Sequence, residues 1–227
     1  MARSQLYKLL MIPWVYNVAQ HVFAPGHASL QRRAFRTVPF ATAGPILDVG
    51  CGPGLKTPEP TGVVVGIDLN PDCLRDYTGG WIDTDIALVG RPPAGRARLD
   101  YRCSADDLPF PDGTFAEARC RSMLHHVPGP VAARAIREMI RCVWPGGSII
   151  LIDPVWPRVA WRRPLAWLIQ RLDRGEWVHT EDELVALARE AAPGSWACQR
   201  YLLSYHGTEG LVLVWKKPAE SAARRVA

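Results

Sequence analysis

The chain has 227 residues, of which 48% are hydrophobic, and it carries a formal net charge of +5. A chain of this length and composition buries one substantial core, and a second independent domain is not expected. Its apolar runs are shorter than the roughly 20 residues that span a bilayer. Pro13 and the polar residues near Asn17 interrupt the apolar core that a signal peptide needs. The six cysteines form no C-x-x-C pair, which argues against a zinc knuckle or a redox motif. We therefore expect a reduced, cytoplasmic protein.

Residues 1–40 form the first predicted segment. Their apolar side chains recur at helical spacing from Leu6 to Val22, which predicts helices that cover the ligand edge of the protein as a lid. The main domain is expected to occupy residues 41–217. The small and polar residues at 218–227 predict a disordered tail.

Two predicted strands end in residues that suit a nucleoside ligand. The strand at Pro45–Cys51 runs into glycines at positions 50, 52 and 54, and the strand at Val63–Leu69 ends beside Asp68. Glycines let the backbone bend sharply and approach a ligand that a Cβ would obstruct. A carboxylate at a strand tip suits the two hydroxyls of a ribose. The pattern therefore predicts a nucleoside-binding crevice at the carboxyl ends of parallel strands.

The same region favours one kind of nucleoside ligand. A dinucleotide site has a third glycine that opens a full helix, and the N-terminus of that helix binds a pyrophosphate. Here Leu55 occupies the third position, and Pro58 and Pro60 leave little room for a long helix before the next strand. The crevice is better suited to S-adenosylmethionine (SAM), which joins a nucleoside to an amino-acid tail without a phosphate.

Apolar periodicity predicts further strands and two helices along the chain. The strands are at Leu99–Ser104, Phe115–Met123, Ser148–Asp153, Ala197–Ser204 and Leu211–Lys216. One helix, at Val131–Val143, carries Arg134 and Glu138 at i,i+4 on its outer face. The other, at Glu181–Ala191, begins with a capping box at Thr180. The first five strands are expected to be parallel and the last two antiparallel.

The fourth predicted strand is unusually polar for the centre of a parallel sheet. Glu117 and Arg119 are expected to pair with the helix layer, whereas Arg121 lies near the strand's carboxyl end, where it can contact an anionic or carbonyl group of a substrate. His125 and His126 follow. An imidazole with an ordinary pKa near 6.5 accepts a proton at neutral pH, so both are candidate general bases, unless they only line the cofactor pocket. Neighbouring side chains diverge and no third ligand is spaced to join them, so no metal site is predicted.

The stretch at 155–178 combines four tryptophans with five arginines. It is predicted to be an inserted lid. Such a segment either closes over an apolar acceptor or lies on an anionic membrane surface, as basic amphipathic helices with tryptophans do. The alternative is that the tryptophans fill the core of the lid.

Four ordered blocks carry a family resemblance. They are LDVGCGPG at 47–54, GID at 66–68, ADDLPFPDGTF at 105–115, and LHHV at 124–127 leading into WPGG at 144–147. On these blocks the chain resembles the class I SAM-dependent methyltransferases, specifically the methyltransferase type 11 group, which includes the ubiquinone and menaquinone C-methyltransferases. The resemblance implies a Rossmann-like α/β fold with a seven-stranded, mostly parallel sheet of order 3-2-1-4-5-7-6, helices on both faces and a helical lid.

The resemblance also implies which residues hold the methionine part of SAM. Asp48 is expected to lie beneath the glycine turn and to hold its backbone or to reach the methionine ammonium through water. Gly50, Cys51 and Gly52 are expected to supply a backbone wall along the methionine. Gly54 completes the motif.

The nucleoside part has its own expected contacts. Asp68 should accept from the ribose hydroxyls, and Leu69 should pack on the adenine unless it is a plain core residue. The family usually has an aspartate that accepts from the adenine amino group, but this chain has Ser104 at that position, followed by Ala105. A hydroxyl still accepts such a bond, although more weakly. Asp106 is the alternative acceptor, unless it is a solvated turn residue.

The expected activity is transfer of a methyl group from SAM, which leaves S-adenosylhomocysteine, to a small hydrophobic or amphipathic acceptor by in-line displacement. Two alternatives remain. The basic charge is compatible with a nucleic-acid methyltransferase. The DPVW sequence at 153–156 resembles the Asp-Pro-Pro-Tyr loop of DNA enzymes, but it follows the fifth strand instead of the fourth, so a nucleic-acid partner is not expected. The other alternative is a SAM-binding partner protein without catalysis.

Overall fold

The computed structural model of the chain describes residues 24–41, 44–52, 63–71, 73–74, 97–172 and 175–219. Within these residues, seven strands form one sheet. In chain order the strands are β1 (Ile46–Val49), β2 (Val63–Asp68), β3 (Ala97–Arg102), β4 (Phe115–Arg121), β5 (Val143–Val155), β6 (Ala197–Leu202) and β7 (Glu209–Lys216). Their order in the sheet is β3-β2-β1-β4-β5-β7-β6, which confirms the predicted topology.

The pairing directions bring the ends of five strands to one edge of the sheet. β1 pairs in parallel with β2 and β4, and β3 and β5 extend the parallel pairing outward. β7 is antiparallel to β5, and β6 is antiparallel to β7. We call the edge at which β1 to β5 end the carboxyl edge. Gly50, Asp68 and Arg121 lie there, at the ends of β1, β2 and β4.

Helices cover both faces of this sheet, as predicted. The described residues contain α1 (His27–Phe35), α2 (Gly129–Cys142), α3 (Pro164–Leu172) and α4 (Glu181–Ala191). α2 and α4 pack on one face over the largest buried cluster, which includes Ile136, Met139 and Leu184. α1 lies on the other face, where Phe35 packs with Ile152 in a separate cluster.

The predicted helix ends are confirmed at one helix and wrong at the other. α4 begins with the predicted capping box, in which Thr180 and Glu183 bond each other's backbone amide. α2 begins at Gly129 instead of Val131 and ends at Cys142 instead of Val143, and β5 begins at Val143 instead of Ser148. The reason is that Val143 is extended, with φ −86° and ψ 138°. Its β-branched side chain favours that conformation.

The polar residues of β4 lie on the α1 face of the sheet. Glu117 and Arg119 are buried and form an ion pair with each other. The second carboxylate oxygen of Glu117 accepts from Ala41 N at 2.7 Å, and the Arg119 guanidinium lies over the Phe40 ring at 4.7 Å. The strand ends two residues earlier than predicted because Ser122 has a φ of +52°, which strand residues do not adopt.

Part of the predicted domain layout falls outside the described residues. Of the N-terminal lid expected at 1–40, the structure describes only residues 24–41, whose helix α1 packs on the sheet. Residues 1–23 and the tail beyond residue 219 are not described, so the domain boundaries remain predictions. Among the helices that are described, none has the length and apolar content needed to cross a bilayer.

Candidate functional site

The glycine turn after β1 packs closely against the loop after β4. Gly50 has a φ of +66°, and a Cβ at this position would lie 2.4 Å from Cγ of Met123. Gly52 has a φ of +55° and open space where its Cβ would be. Both positions therefore favour glycine, the first because of close packing and conformation, the second because of conformation alone. Cys51 N donates to Ile67 O at 3.0 Å, which ties the turn to β2.

Asp68 joins the glycine turn to the loop that follows β2. One carboxylate oxygen accepts from Gly52 N at 3.0 Å, and the other accepts from Asn70 N at 2.8 Å. A carboxylate has about four lone-pair positions, so it can accept further bonds from two hydroxyls. Leu69 is 62% exposed, which excludes the core alternative and leaves its side chain available to a flat ring.

Asp48 lies buried within β1, just below the glycine turn. It is in register with Gly66 of β2 and Arg119 of β4. Burial, and next the charge of Asp48, raise the pKa of the Cys51 thiol. The thiol is therefore neutral. Asp48 lies beneath the glycine turn, as the resemblance implies.

The adenine candidates after β3 form one unit. The Ser104 hydroxyl donates to one carboxylate oxygen of Asp106, and Arg134 of α2 donates to the other at 2.7 and 3.1 Å. These bonds lower the pKa of Asp106. Arg134, which the sequence places on the outer face of α2, thus reaches across to this loop. Ala105 packs partly against the main core beneath it.

The residues expected to hold SAM thus meet at one place. The glycine turn, Asp68 with Leu69, and the Ser104–Asp106 unit follow the adjacent strands β1, β2 and β3 at the carboxyl edge. Positive-φ glycines give a ligand close access to the backbone, and an acid lies where a ribose would be bound, so the residues present fit SAM. Gly54 lies outside the described residues.

The two histidines after β4 lie together in different environments. His125 is buried. Its backbone N–H donates to Asp153 Oδ2 at 2.8 Å, and its ring Nδ1 lies 2.9 Å from Asp153 Oδ1. His126 is exposed, and its ring centroid is 4.0 Å from that of His125. The ring of His126 is therefore accessible to solvent, whereas His125 is enclosed. Asp153 was missed as a site residue, although a carboxylate at the end of an apolar strand is a usable signal.

Arg121 points toward α1 and β6. Its guanidinium donates to Gln31 and lies 5.7 Å from the Phe35 ring centroid. Nearby on β6, burial raises the pKa of Tyr201 to about 12, although the charge of Arg121 acts in the opposite direction. Gln31 and Tyr201 carry no sequence signal of their own, because only the folded chain brings them to the end of β4.

The inserted lid is predicted at 155–178, and we call this stretch the lid segment; the structure describes it at 155–172 and 175–178, where it leaves the sheet after Val155. Val155 pairs with His179 in an isolated bridge. Just before the return, Trp177 N donates to His125 O at 3.0 Å, so the segment adjoins the histidines. Across the described residues, no group of three or more His, Cys, Asp or Glu side chains has a metal-binding arrangement. The expected independence from metal remains a prediction.

Comparison with known proteins gives a consistent family. Residues 47–151 match the family described as "Methyltransferase domain", type 11. The chain is 33% identical over 111 residues to a ubiquinone biosynthesis O-methyltransferase of Xanthomonas euvesicatoria, covering 47% of this chain and 41% of that protein. It is 29% identical over 151 residues to a chloroplastic 2-methyl-6-phytyl-1,4-hydroquinone methyltransferase of Oryza sativa, covering 63% and 43%. The match therefore spans less than half the length of each of these relatives.

A solved structure shares the fold. A SAM-dependent methyltransferase from Methanosarcina mazei superimposes with a TM-score of 0.55 and 22% identity, covering 80% of this chain and 95% of that one. At this level of identity the likeness concerns the fold.

Proposed function

Since this chain belongs, through residues 47–151, to the type 11 group of the class I SAM-dependent methyltransferases, we propose that it transfers a methyl group from SAM to a small hydrophobic or amphipathic acceptor. The single observation that carries the proposal is the arrangement at the carboxyl edge. There Asp68 braces the glycine turn, and the exposed His126 follows the neighbouring strand β4.

The chain's own residues have to position and shield the reactants. When bound, SAM supplies a methyl group on a sulfonium that is already a good leaving group. Asp68 holds the ribose hydroxyls and the glycine turn follows the methionine part. Asp153 fixes His125, and the exposed ring of the adjacent His126 takes a proton from an acceptor hydroxyl or amine. The lid segment excludes water from the reacting groups.

Two observations support a hydrophobic or amphipathic acceptor. The lid segment, which adjoins His125 through Trp177, exposes several large apolar side chains. In addition, two relatives are named for ubiquinone biosynthesis and for a 2-methyl-6-phytyl-1,4-hydroquinone.

Turnover against matched acceptors tests the proposal. The purified protein is incubated with SAM and with pairs of phenols or hydroquinones that differ only in an alkyl or prenyl chain, and release of S-adenosylhomocysteine is measured. We expect higher kcat/KM for the member with the apolar chain. Preference for the polar member, or methylation of an RNA or DNA oligonucleotide instead, contradicts the proposal. SAM binding without turnover of any acceptor supports the non-catalytic alternative.

Variants of the lid give a second test. Trp161→Ala with Trp167→Ala should raise KM for the acceptor at least several-fold, because these exposed indoles lie on the segment past which a hydrophobic acceptor reaches the site, while SAM affinity changes little. Trp144→Ala is the matched control, since Trp144 is also exposed but lies at the start of β5, away from the carboxyl edge. A collapse of SAM affinity with unchanged acceptor kinetics contradicts the assignment.

A further inference from the structure

The lid segment presents an unusual amount of apolar surface to solvent. Its large exposed side chains define what we call the lid surface: Val159, Trp161, Leu165, Trp167, Leu168 and Trp177. Trp161 alone is 77% exposed. Single exposed apolar residues are ordinary, but a concentration of them in one short segment marks an interaction site.

Helix α3 shows that this exposure results from how the helix is oriented. α3 buries Ala166 and Gln170, which are four residues apart and therefore on one face. The Gln170 amide donates to Val155 O at 2.6 Å and fixes that face to the end of β5. Leu165 and Leu168 consequently face away from the protein. The helix therefore exposes two leucines to solvent while its buried face includes the polar Gln170, which differs from an ordinary surface helix with its apolar side chains turned inward.

Positive charge accompanies the apolar side chains. Residues 156–178 contain five arginines against two acids, Asp173 and Glu176, and four of the arginines lie in the stretch 156–172, which has neither acid. Arg158 and Arg163 pair with Glu181 and Glu209, which anchors the segment to α4 and β7. Arg162 lies over the Trp161 ring at 4.8 Å, and Arg171 is exposed on α3. The outward surface therefore combines indole rings, leucines and guanidinium groups.

We propose that the lid surface docks on the interface of an anionic lipid bilayer. Tryptophan and leucine side chains enter the boundary between headgroups and acyl chains, and arginines contact the lipid phosphates. Charge complementarity selects this occupant. A second copy of the chain would bring the same arginines against each other, whereas anionic headgroups neutralise them.

Docking on a membrane also explains how a hydrophobic acceptor reaches the site. This explanation rests on the proposed function, whereas the docking itself does not. Because Trp177 joins the lid surface to His125, a docked protein has its carboxyl edge beside the membrane interface. A hydrophobic acceptor can then pass from the bilayer to the site without crossing water. Docking itself is measured without turnover, so its failure and a failure of methyl transfer are separate results.

Co-sedimentation of the full chain with vesicles is the direct test. We expect strong binding to vesicles that contain phosphatidylglycerol, weak binding to pure phosphatidylcholine, and loss of binding as salt rises, since exposed charges are screened. Equal binding to both vesicle types, or binding to neither, overturns the proposal.

Variants separate the apolar and the charged contributions. Leu165→Gln with Leu168→Gln should weaken binding to the anionic vesicles about tenfold or more, and Arg162→Gln with Arg171→Gln should weaken it by a similar factor and reduce the salt dependence. Trp144→Ala and Arg137→Gln are the matched controls, both exposed and outside the lid segment, and should bind like the natural protein.

Two further measurements, of SAM affinity and of self-association, separate membrane docking from loss of the fold and from dimer formation. SAM affinity, measured by calorimetry, should be retained in every variant and shows that the fold is intact. Lid variants that keep SAM affinity and still bind anionic vesicles like the natural protein overturn the proposal. So does self-association that the same variants abolish, because a second copy would then cover the lid surface.

Discussion

Asp68 combines a structural and a ligand-binding role in one carboxylate. It accepts from backbone amides on both sides of the crevice, at Gly52 and at Asn70. The residue that would bind the ribose therefore also sets the shape of the glycine turn. Loss of this carboxylate removes the ribose acceptor and loosens the turn at the same time.

We predict that Asp68→Ala weakens the binding of SAM and of S-adenosylhomocysteine by roughly 10- to 100-fold. Each hydroxyl or amide left without an acceptor in a closed site costs on the order of 1–3 kcal/mol. Isothermal titration calorimetry on both ligands provides the measurement. Asp100→Ala is the control, since Asp100 is an exposed acid on the neighbouring strand β3. Unchanged affinity of Asp68→Ala would show that another residue binds the ribose.

The adjacent histidines differ in burial, and the buried one, His125, is bonded by a residue far away along the chain. Asp153 bonds the backbone and faces the ring of His125, and Trp177 N donates to His125 O. His126 has the exposed ring. We therefore propose a positioning role for His125 and contact with the acceptor for His126.

The two positions should respond to substitution in opposite ways. His125→Ala should lower the free energy of unfolding by about 1–3 kcal/mol, because the buried Asp153 carboxylate loses its ring partner, whereas His126→Ala should change it by less than about 0.5 kcal/mol. His126→Ala should instead lower kcat about 10²-fold and alter the pH profile of kcat. Denaturant titration and steady-state kinetics measure both. Equal kcat for His126→Ala and the natural protein would exclude a general base at this position.

At the scale of elements, one arginine clamps the loop after β3 to helix α2. Arg141 donates to Phe110 O at 2.7 Å, to Leu108 O at 3.0 Å and to Asp112 Oδ1 at 2.8 Å. It also binds both carboxylate oxygens of Glu138, one of which accepts from Leu108 N at 3.0 Å. The loop that carries the Ser104–Asp106 unit is thereby held at several points by one guanidinium.

We expect Arg141→Ala to lower the free energy of unfolding by about 2 kcal/mol, since charge-assisted bonds and two carbonyl contacts are lost together. Arg141→Lys should recover less than half of that loss, because an ammonium cannot reproduce the planar fork of donors. Arg137→Ala on the same helix is the control and should cost less than about 0.5 kcal/mol, since its pair with Glu190 is exposed and 3.4 Å long. Urea denaturation of the three variants gives the comparison. Similar losses for Arg141→Ala and Arg137→Ala would rule out a clamp.

At the scale of the whole molecule, His179 couples stability to pH. It lies where the lid rejoins the sheet, and burial lowers its pKa below the ordinary 6.5, an effect that His125 reinforces and that Asp153 and Glu183 oppose. The unfolded chain therefore binds a proton more readily than the folded protein does. The stability associated with neutral His179 is present above pH 6.5 and is lost as pH falls through the lowered pKa.

The free energy of unfolding should accordingly decrease as the pH is lowered from neutral to below 6.5. His179→Asn should make this decrease shallower, because it removes the group that protonates more easily in the unfolded chain. Chemical denaturation of both proteins at a series of pH values measures the two slopes. A variant with the same slope as the natural protein would show that other groups account for the pH dependence.

Much of the fold was predictable because its signals are local in the chain. Periodicity located all seven strands, and the capping box at Thr180 located the start of α4. The boundary at Val143 was not predictable, because it depends on pairing with Phe115 of β4. Burial alone does not separate a helical valine from an extended one.

The sequence, through its family resemblance, determined the sheet order, and it predicted the place of the cofactor site. The positive φ of the backbone favours glycine at positions 50 and 52, and the bond to the glycine turn and the expected ribose both favour an acid at 68. Each of these requirements fixes the residue type at one position, so it can be recognised in the sequence. Only the tertiary structure decided that Asp153 holds His125 and leaves His126 exposed, and that α3 turns its leucines to solvent. The reason is physical: a side chain's burial and partners depend on residues far away along the chain, and local pattern does not record them.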